Sequence, residues 1–316
     1  MEAKHDSVLL EESIEALSIE PNDIVVDGTV GGAGHWRGLF AALSSEGVLV
    51  GIDADQHALE RAREVLDEDP RTDRPMVHLI ADNFRNLARI LERLGISHIN
   101  KALFDLGWSG YQLAEGRGFS FREDEPLLMT YSDSGSTGSA AELLATASEE
   151  ELSDILHTYG EERFARGIAR AIVLARAKER IVTTNALVKA VEAGTPAWYH
   201  HRKTHPATKT FQALRIAVND ELGAIREGLA ATIDHLSPGG RVAVITFHSI
   251  EDRIVKNIFR EAHAKGSGLV VNKKVIVPSV EETKRNPRSR SAKLRVFERS
   301  IVAASLPDTS SSIAYA

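Results

Sequence analysis

Four short apolar segments in the first 105 residues each end on an aspartate, and the second and third lead into a clear helical pattern. Ile24 to Val26 runs into Asp27. GVLVGIDAD (47–55) carries Asp53, MVHLIADNF (76–84) carries Asp82, and INKALFDLG (99–107) carries Asp105. HALERAREVLDE (57–68) and FRNLARILERLG (84–95) have helical periodicity, the second stopped by Gly95. The first segment instead enters a glycine-rich turn, DGTVGGAGH (27–35), that precedes another helix. Strands alternating with helices demand a parallel sheet covered on both faces. The expected class is therefore α/β, doubly wound and Rossmann-like.

The alternation then stops. Residues 107–140 read as loop, with YSDSGSTGSA (131–140) the most linker-like part. Residues 139–193 read as helix only, with Ser148 and Glu151 spaced as a capping box and 161–180 strongly basic. One or two further helices are expected over 206–236, a strand over 239–249, a helix after it, and a closing strand pair from LVVNKKVIV and SAKLRVFER. The simplest division gives 1–112 and 206–302 to one discontinuous α/β domain. Residues 113–205 form an inserted all-helical domain, and 303–316 a loose C-terminal tail. An amphipathic helix over 6–19, with Leu10, Ile14 and Leu17 on one face, precedes the first strand.

Composition removes several chemistries. There is no cysteine, hence no disulfide, thiolate metal site or thiol nucleophile. No apolar run reaches the roughly 18 residues of a membrane span, and the charged N-terminus lacks a signal-peptide core, so the cytoplasm is the expected compartment. Net charge is −7 but unevenly spread: residues 1–160 carry 12 Lys+Arg against 30 Asp+Glu, and residues 161–316 carry 26 against 15. A basic half suits a polyanionic partner, although an uneven soluble surface would look the same.

The glycine turn sits where cofactors approach the backbone, yet it is neither GxGxxG nor a Walker loop, which disfavours a dinucleotide or a nucleoside triphosphate. Asp53 ends the second strand, where a carboxylate can accept both hydrogen bonds of a ribose diol. Asp82, Asn83 and Phe84 offer an adenine a polar group and a ring. Four aspartates on one sheet edge fit a cationic ligand better than a pyrophosphate. S-adenosylmethionine, with its sulfonium and ammonium, is such a ligand.

HDSVLLEE (5–12), DGTVGGAGH, DLGWSGYQL (105–113), RGFSFRED (117–124), GEER (160–163), HPATKTFQALRIAVNDEL (205–222), FHSIEDRIVK (247–256) and NPRSRSAKLR (286–295) occur in order along the chain. Together they resemble the bacterial 16S ribosomal RNA (cytosine-N4) methyltransferases. The resemblance implies a class I S-adenosylmethionine-dependent methyltransferase domain with an inserted helical substrate-recognition domain. It implies methyl transfer to the N4 amine of a cytidine in the decoding region of 16S rRNA, within the small ribosomal subunit, and is compatible with a homodimer. By motif, the cofactor contacts fall on Ala33, Gly34, His35, Asp53, Phe84, Asp105 and Gln112. The family usually follows RGFSF with a stretch like DGPLDMRMD, where this chain has DEPLLMTYS (124–132), so an acid and an arginine expected near the target are missing. Trp36 also stands where the family usually has a small residue.

Such chemistry needs no metal, because the sulfonium is already a good leaving group. The N4 lone pair is delocalised into the ring, so the amine must be held in line with the methyl group and given an acceptor. Asp105 is the candidate for that role, unless it serves the cofactor instead. His200, His201 and His205 are interleaved with Arg202 and Lys203, which repel a metal cation. Ser249 after His248 lacks the GxSxG elbow of a hydrolase. Arg202, Lys203, Lys209, Arg288, Arg290 and Arg295 are the candidate RNA contacts, with Lys284 to Arg299 holding seven basic residues and one Glu. Trp198, Tyr199 and Phe211 are candidates for stacking a base, Phe211 being equally a core residue. Two other classes stay open at this level: a non-catalytic RNA-binding assembly factor on the same fold, and a small-molecule methyltransferase.

Overall fold

The computed structural model describes residues 7–107, 116–131, 138–272 and 274–301. Its centre is a seven-stranded sheet in the order β3-β2-β1-β4-β5-β7-β6. The strands are β1 (Ile24–Asp27), β2 (Val48–Asp53), β3 (Met76–Ala81), β4 (Ile99–Asp105), β5 (Leu236–Thr246), β6 (Gly268–Val270) and β7 (Lys293–Arg299). β1 to β5 are parallel, while β7 runs antiparallel between β5 and β6. β1 is flanked by β2 and β4, so the chain steps outward from β1 to β3 and then reverses through β4 to β5. That reversal leaves a crevice at the carboxyl ends of β1 and β4.

The strands are apolar on both faces, as a sheet covered on both sides requires. Val25, Leu49 and Leu103 face one layer with α1 (Leu10–Leu17), α2 (Gly34–Ala42) and α3 (Gln56–Glu68). Val26, Val50 and Phe104 face the other, with α4 (Leu87–Leu94) among its helices. Trp36, the departure after the glycine turn, is fully buried in the first layer. Gly51 makes room for it: a Cβ there would stand 2.6 Å from the indole ring. The larger side chain is thus absorbed by the core and does not enter the crevice wall.

Between β4 and β5 the chain builds a helical lobe from α5 (Ala140–Thr146), α6 (Glu149–Gly160), α7 (Ala165–Arg176), α8 (Thr184–Ala193), α9 (Ala197–His200) and α10 (Thr208–Asn219). Capping boxes at Ser139 and Ser148 start α5 and α6. The expected division at 205/206 does not coincide with the packing. α10 sends Phe211, Ala213, Leu214 and Val218 into the lobe core and only Ile216 into the sheet layer. Asp220, at φ 45°, then turns the chain into α11 (Glu221–His235), which packs on the sheet with α12 (Ser249–Ala264). A short helix, α13 (Val280–Arg285), and a 3-10 turn (Pro287–Ser291) lead into β7. The tail at 303–316 lies outside the described residues. No helix among the described residues is long and apolar enough to cross a membrane.

Candidate active site

The glycine turn is held by acids and an arginine. Asp27 accepts from the Thr29 amide at 3.1 Å and starts the turn. Gly31 and Ala33 both adopt left-handed φ values, 50° and 60°, so an L-residue bears strain at Ala33. Asp53 accepts from the Gly31 amide through one oxygen and the Asp55 amide through the other, each at 2.8 Å. Arg61 Nε donates to the Gly31 carbonyl at 3.0 Å, clamping the same turn from its other side. Each Asp53 oxygen keeps further acceptor capacity, which a vicinal diol can use.

His35 opens α2 and is buried, with Nε2 donating to the Val8 carbonyl at 3.0 Å and Nδ1 3.4 Å from Asp105. Burial alone would lower its pKa, but the hydrogen bond and charge of Asp105, helped by Asp27, raise it. Burial pushes Asp27 up to about 7, and Asp53, sunk under the turn beside Asp55, up to about 6. One buried oxygen of Asp27 and one of Asp105 have no hydrogen-bond partner. Three carboxylates gathered with a single histidine present a deficit of positive charge. A ligand carrying cationic groups and hydroxyls fits that deficit, and S-adenosylmethionine has both.

The crevice encloses about 1290 Å³ and is lined by the 28–35 turn, Asp53, Asp82 to Phe84, Asp105 to Gly107, Tyr131, Asn219, Glu221, Phe247, Glu251 and Arg288. Phe84 stands edge-on to Phe104, with centroids 5.4 Å apart, presenting a ring to the space beyond β3. Asp82 departs from the expected set of four equivalent acids. It accepts from the Asn83 amide, Asn86 and Arg89, at 2.7–2.9 Å, and so caps the turn after β3.

The wall opposite the turn is a chain of buried polar groups. Arg215 donates to both oxygens of Glu221 at 2.7 and 2.8 Å. The Tyr131 hydroxyl donates to Glu221 at 2.8 Å, and burial pushes its pKa well above the usual phenol range. Arg215 also lies 4.0 Å from Glu251, which accepts from the Phe247 amide and meets His248 Nε2 at 3.0 Å. Burial works against the Glu251 carboxylate, yet His248 and Arg215 together bring it below the usual range. Glu221, His248 and Glu251 are close enough to surround an ion. Arg215 already supplies the positive charge there, so the cluster is a poor cation site. Tyr131 occupies the divergent 124–132 segment, and its phenol ties that segment to this wall.

A model of the MraW methylase family matches residues 2–300. This chain belongs to the MraW methylase family. The ribosomal RNA small subunit methyltransferase H of Paenibacillus is 45% identical over 318 residues, spanning 94% of this chain and 99% of that protein. The protein of the same name from Deinococcus deserti is 46% identical over 301 residues, spanning 94% of each. A solved methyltransferase from Streptococcus mutans, in complex with SAH, aligns with 93% of this chain and 99% of its own at 15% identity and TM-score 0.45.

In this MraW methylase, Ala33, Gly34, His35, Asp53, Phe84 and Asp105 all line one crevice. Gln112 lies outside the described residues. Sequence reasoning missed Tyr131, Asn219, Glu221, Phe247 and Glu251, which come from separate segments. The available signal was the density of acids and amides in IAVNDEL and FHSIEDR, which the resemblance covered but no periodicity singled out. Among the basic candidates, Arg202, Lys203, Arg288 and Arg290 are exposed, and Arg288 stands at the crevice. Arg295 is a correction: its guanidinium is turned inward onto Asp252 at 2.7 Å, beside Lys293, and is largely buried. The Lys209 ammonium donates to the Glu161 carbonyl at 2.7 Å, fastening the lobe. Phe211 is core.

Proposed function

We propose that this chain transfers a methyl group from S-adenosylmethionine to the N4 amine of a cytidine in the decoding region of 16S rRNA. The observation that carries the reading is the cluster of Asp27, Asp53 and Asp105 around the glycine turn, in a chain whose residues 2–300 match the MraW methylases. We place the reaction in the cytoplasm, on RNA assembled in the small ribosomal subunit, and assign cofactor binding to Ala33, Gly34, His35, Asp53, Phe84, Asp105 and Gln112.

When bound, S-adenosylmethionine supplies an electrophilic methyl group with a neutral thioether as leaving group. Asp53 accepts from the ribose hydroxyls while keeping its two backbone donors. Phe84 gives the adenine a ring to lie on. The Asp105 oxygen that His35 faces at 3.4 Å would accept an N–H of the target amine, while its other oxygen is buried without a partner. Accepting that N–H would localise the nitrogen lone pair, and the proton lost as nitrogen takes the methyl would pass to this carboxylate. No side chain attacks carbon, so the absence of cysteine is no obstacle. We assign residues 116–219 and their lobe to substrate recognition.

Labelled methyl transfer offered to small ribosomal subunits, to total protein and to a metabolite extract tests the reading. Label in the 16S rRNA alone is expected. Label confined to protein or metabolites contradicts it, and no transfer despite cofactor binding would assign the chain to RNA binding alone.

A further inference from the structure

The helical lobe carries an aromatic cluster that the methyl-transfer site does not use. Tyr199 is buried, and its hydroxyl donates to the fully buried Glu162 at 2.8 Å. Glu162 also accepts from the Phe164 amide at 2.9 Å, so one carboxylate fixes both rings. Trp198 stands edge-on to Phe164 and Tyr199, with centroids 5.8 Å from each, yet is 53% exposed. Two glycines bring these segments together. A Cβ on Gly167 would stand 2.5 Å from the Gly194 carbonyl, and one on Gly194 2.6 Å from Ile168 Cα. The close crossing of α7 and the end of α8 sets the indole at the head of α7. A tryptophan left this exposed while its neighbours are pinned is a preformed flat surface.

Cations surround it. The Arg163 guanidinium lies 5.7 Å from the Trp198 ring centre, and that of Arg202 5.2 Å from the Tyr199 ring. Arg166 and Arg170 are exposed four residues apart on one face of α7, Arg163 is exposed in the turn before it, and Lys203 is exposed beyond Arg202. Arg166 and Arg170 have no ion pair among the described residues. The cluster also adjoins the crevice. Glu161, two residues before Arg163, is bonded by Ser249 at 3.0 Å and Arg253 at 2.6 Å, both on α12, whose Glu251 lines the crevice wall.

We propose that Trp198 is a stacking platform for one unpaired nucleotide of the RNA substrate, a different nucleotide from the one methylated. Arg163, Arg166, Arg170 and Arg202 hold the phosphates on either side. This rests on the ribosomal RNA reading above. A base presents a π face to the indole whatever its identity, and guanidinium groups suit phosphate oxygens. The partner chemistry is therefore single-stranded RNA. A duplex keeps its bases stacked on each other and offers the platform none.

The test compares the full chain with Trp198→Ala and Trp198→Phe, using fluorescence anisotropy with single-stranded dodeca-adenylate and with the dodeca-adenylate/uridylate duplex at one fixed salt concentration. Calorimetry with S-adenosylmethionine checks that each variant is folded. Trp198→Ala is expected to weaken single-strand binding by about 5–150-fold, the range for one stacked base. Trp198→Phe should keep most of that affinity, and duplex binding should not move. Equal loss on single strand and duplex, or no loss on either, overturns the platform. Unchanged RNA binding with an altered sedimentation mass makes the patch a contact between copies and also overturns it. A wild-type chain that binds no RNA of either kind, while still binding cofactor, would overturn the ribosomal RNA reading itself.

Discussion

His35 Nδ1 stands 3.4 Å from the Asp105 carboxylate, joining the start of α2 to the end of β4 across the crevice. The pair does two things. It fixes the glycine turn through the Val8 carbonyl on the ring's far side, and it neutralises one of three gathered acids. A buried histidine whose pKa is raised by a carboxylate makes stability respond to pH. The folded-state pKa of His35 is raised, so its contribution is fully present below about 6.5 and is lost as pH rises through the folded value. Urea unfolding at pH 6 and pH 9 should show a larger stability difference for the wild type than for His35→Gln. An equal difference in both would remove the charge from this pair.

The Asp27 and Asp53 carboxyls sit at about 7 and about 6 because they are buried. A cationic ligand favours their ionised forms, so its binding must release protons near pH 6 and release fewer by pH 9. Affinity should therefore fall as pH drops through 6. Calorimetry in buffers of different ionisation enthalpy measures the proton count directly. Proton uptake on S-adenosylmethionine binding at pH 6 would contradict the assignment of the acid cluster to a cation.

Asp53→Asn keeps a side-chain acceptor but loses the charge offered to the ribose diol. Charge-assisted hydrogen bonds are worth about 2–3 kcal/mol, so S-adenosylmethionine affinity should fall roughly 30–150-fold. The thermal midpoint should move little, since Asn can still accept from one of the two amides that Asp53 holds. Unaltered affinity in a folded variant would separate Asp53 from the cofactor.

Arg215 is the cation shared by Glu221 and Glu251 in the buried wall. Arg215→Leu leaves two acids and the Tyr131 hydroxyl without it. Loss of one partner from such a buried pair costs about 3–5 kcal/mol, a large part of a domain's stability. Chemical denaturation should show that loss, and Tyr131→Phe should show a smaller one of about 1 kcal/mol. A fully stable Arg215→Leu chain would mean that the acids are protonated or hydrated in the fold.

The fold's N-terminal half was legible because each of its strands is a local apolar run and Asp27, Asp53 and Asp105 close three of them. Consecutive strands of a doubly wound sheet put such ends on one edge without further information. Asp82 shows the limit: Asn86 and Arg89 at the start of α4 engage both its oxygens and tie it to the turn after β3. Arg215 and Glu221 are six apart, a spacing that no single helix brings face to face. They meet only because Asp220 turns the chain between α10 and α11. Arg295 reads as part of a basic stripe, but β7 lies beside α12 and presents it to Asp252. Such pairings depend on sheet order, which composition and spacing do not carry. The double packing of α10 was not legible for a related reason: it has one side for the lobe and another for the sheet layer.

Arg288 and Arg290 differ from Arg295 in being exposed at or near the crevice. Replacing both with Ala should weaken RNA binding and lower the slope of log affinity against log salt by about one for each phosphate that is no longer neutralised. S-adenosylmethionine affinity should fall less than RNA affinity. An unchanged salt slope would make them structural.

The most direct test of the methyl-transfer reading is mass spectrometry of the nucleosides from 16S rRNA after reaction with the full chain and S-adenosylmethionine. A chain without cysteine has no thiolate to add to the cytosine ring, which closes the covalent route to the ring carbon. The expected product is cytidine carrying one methyl on the exocyclic nitrogen, with no denaturant-resistant protein–RNA adduct when 5-fluorocytidine replaces the target. A methyl on ring carbon or ribose, or a trapped covalent adduct, would contradict it.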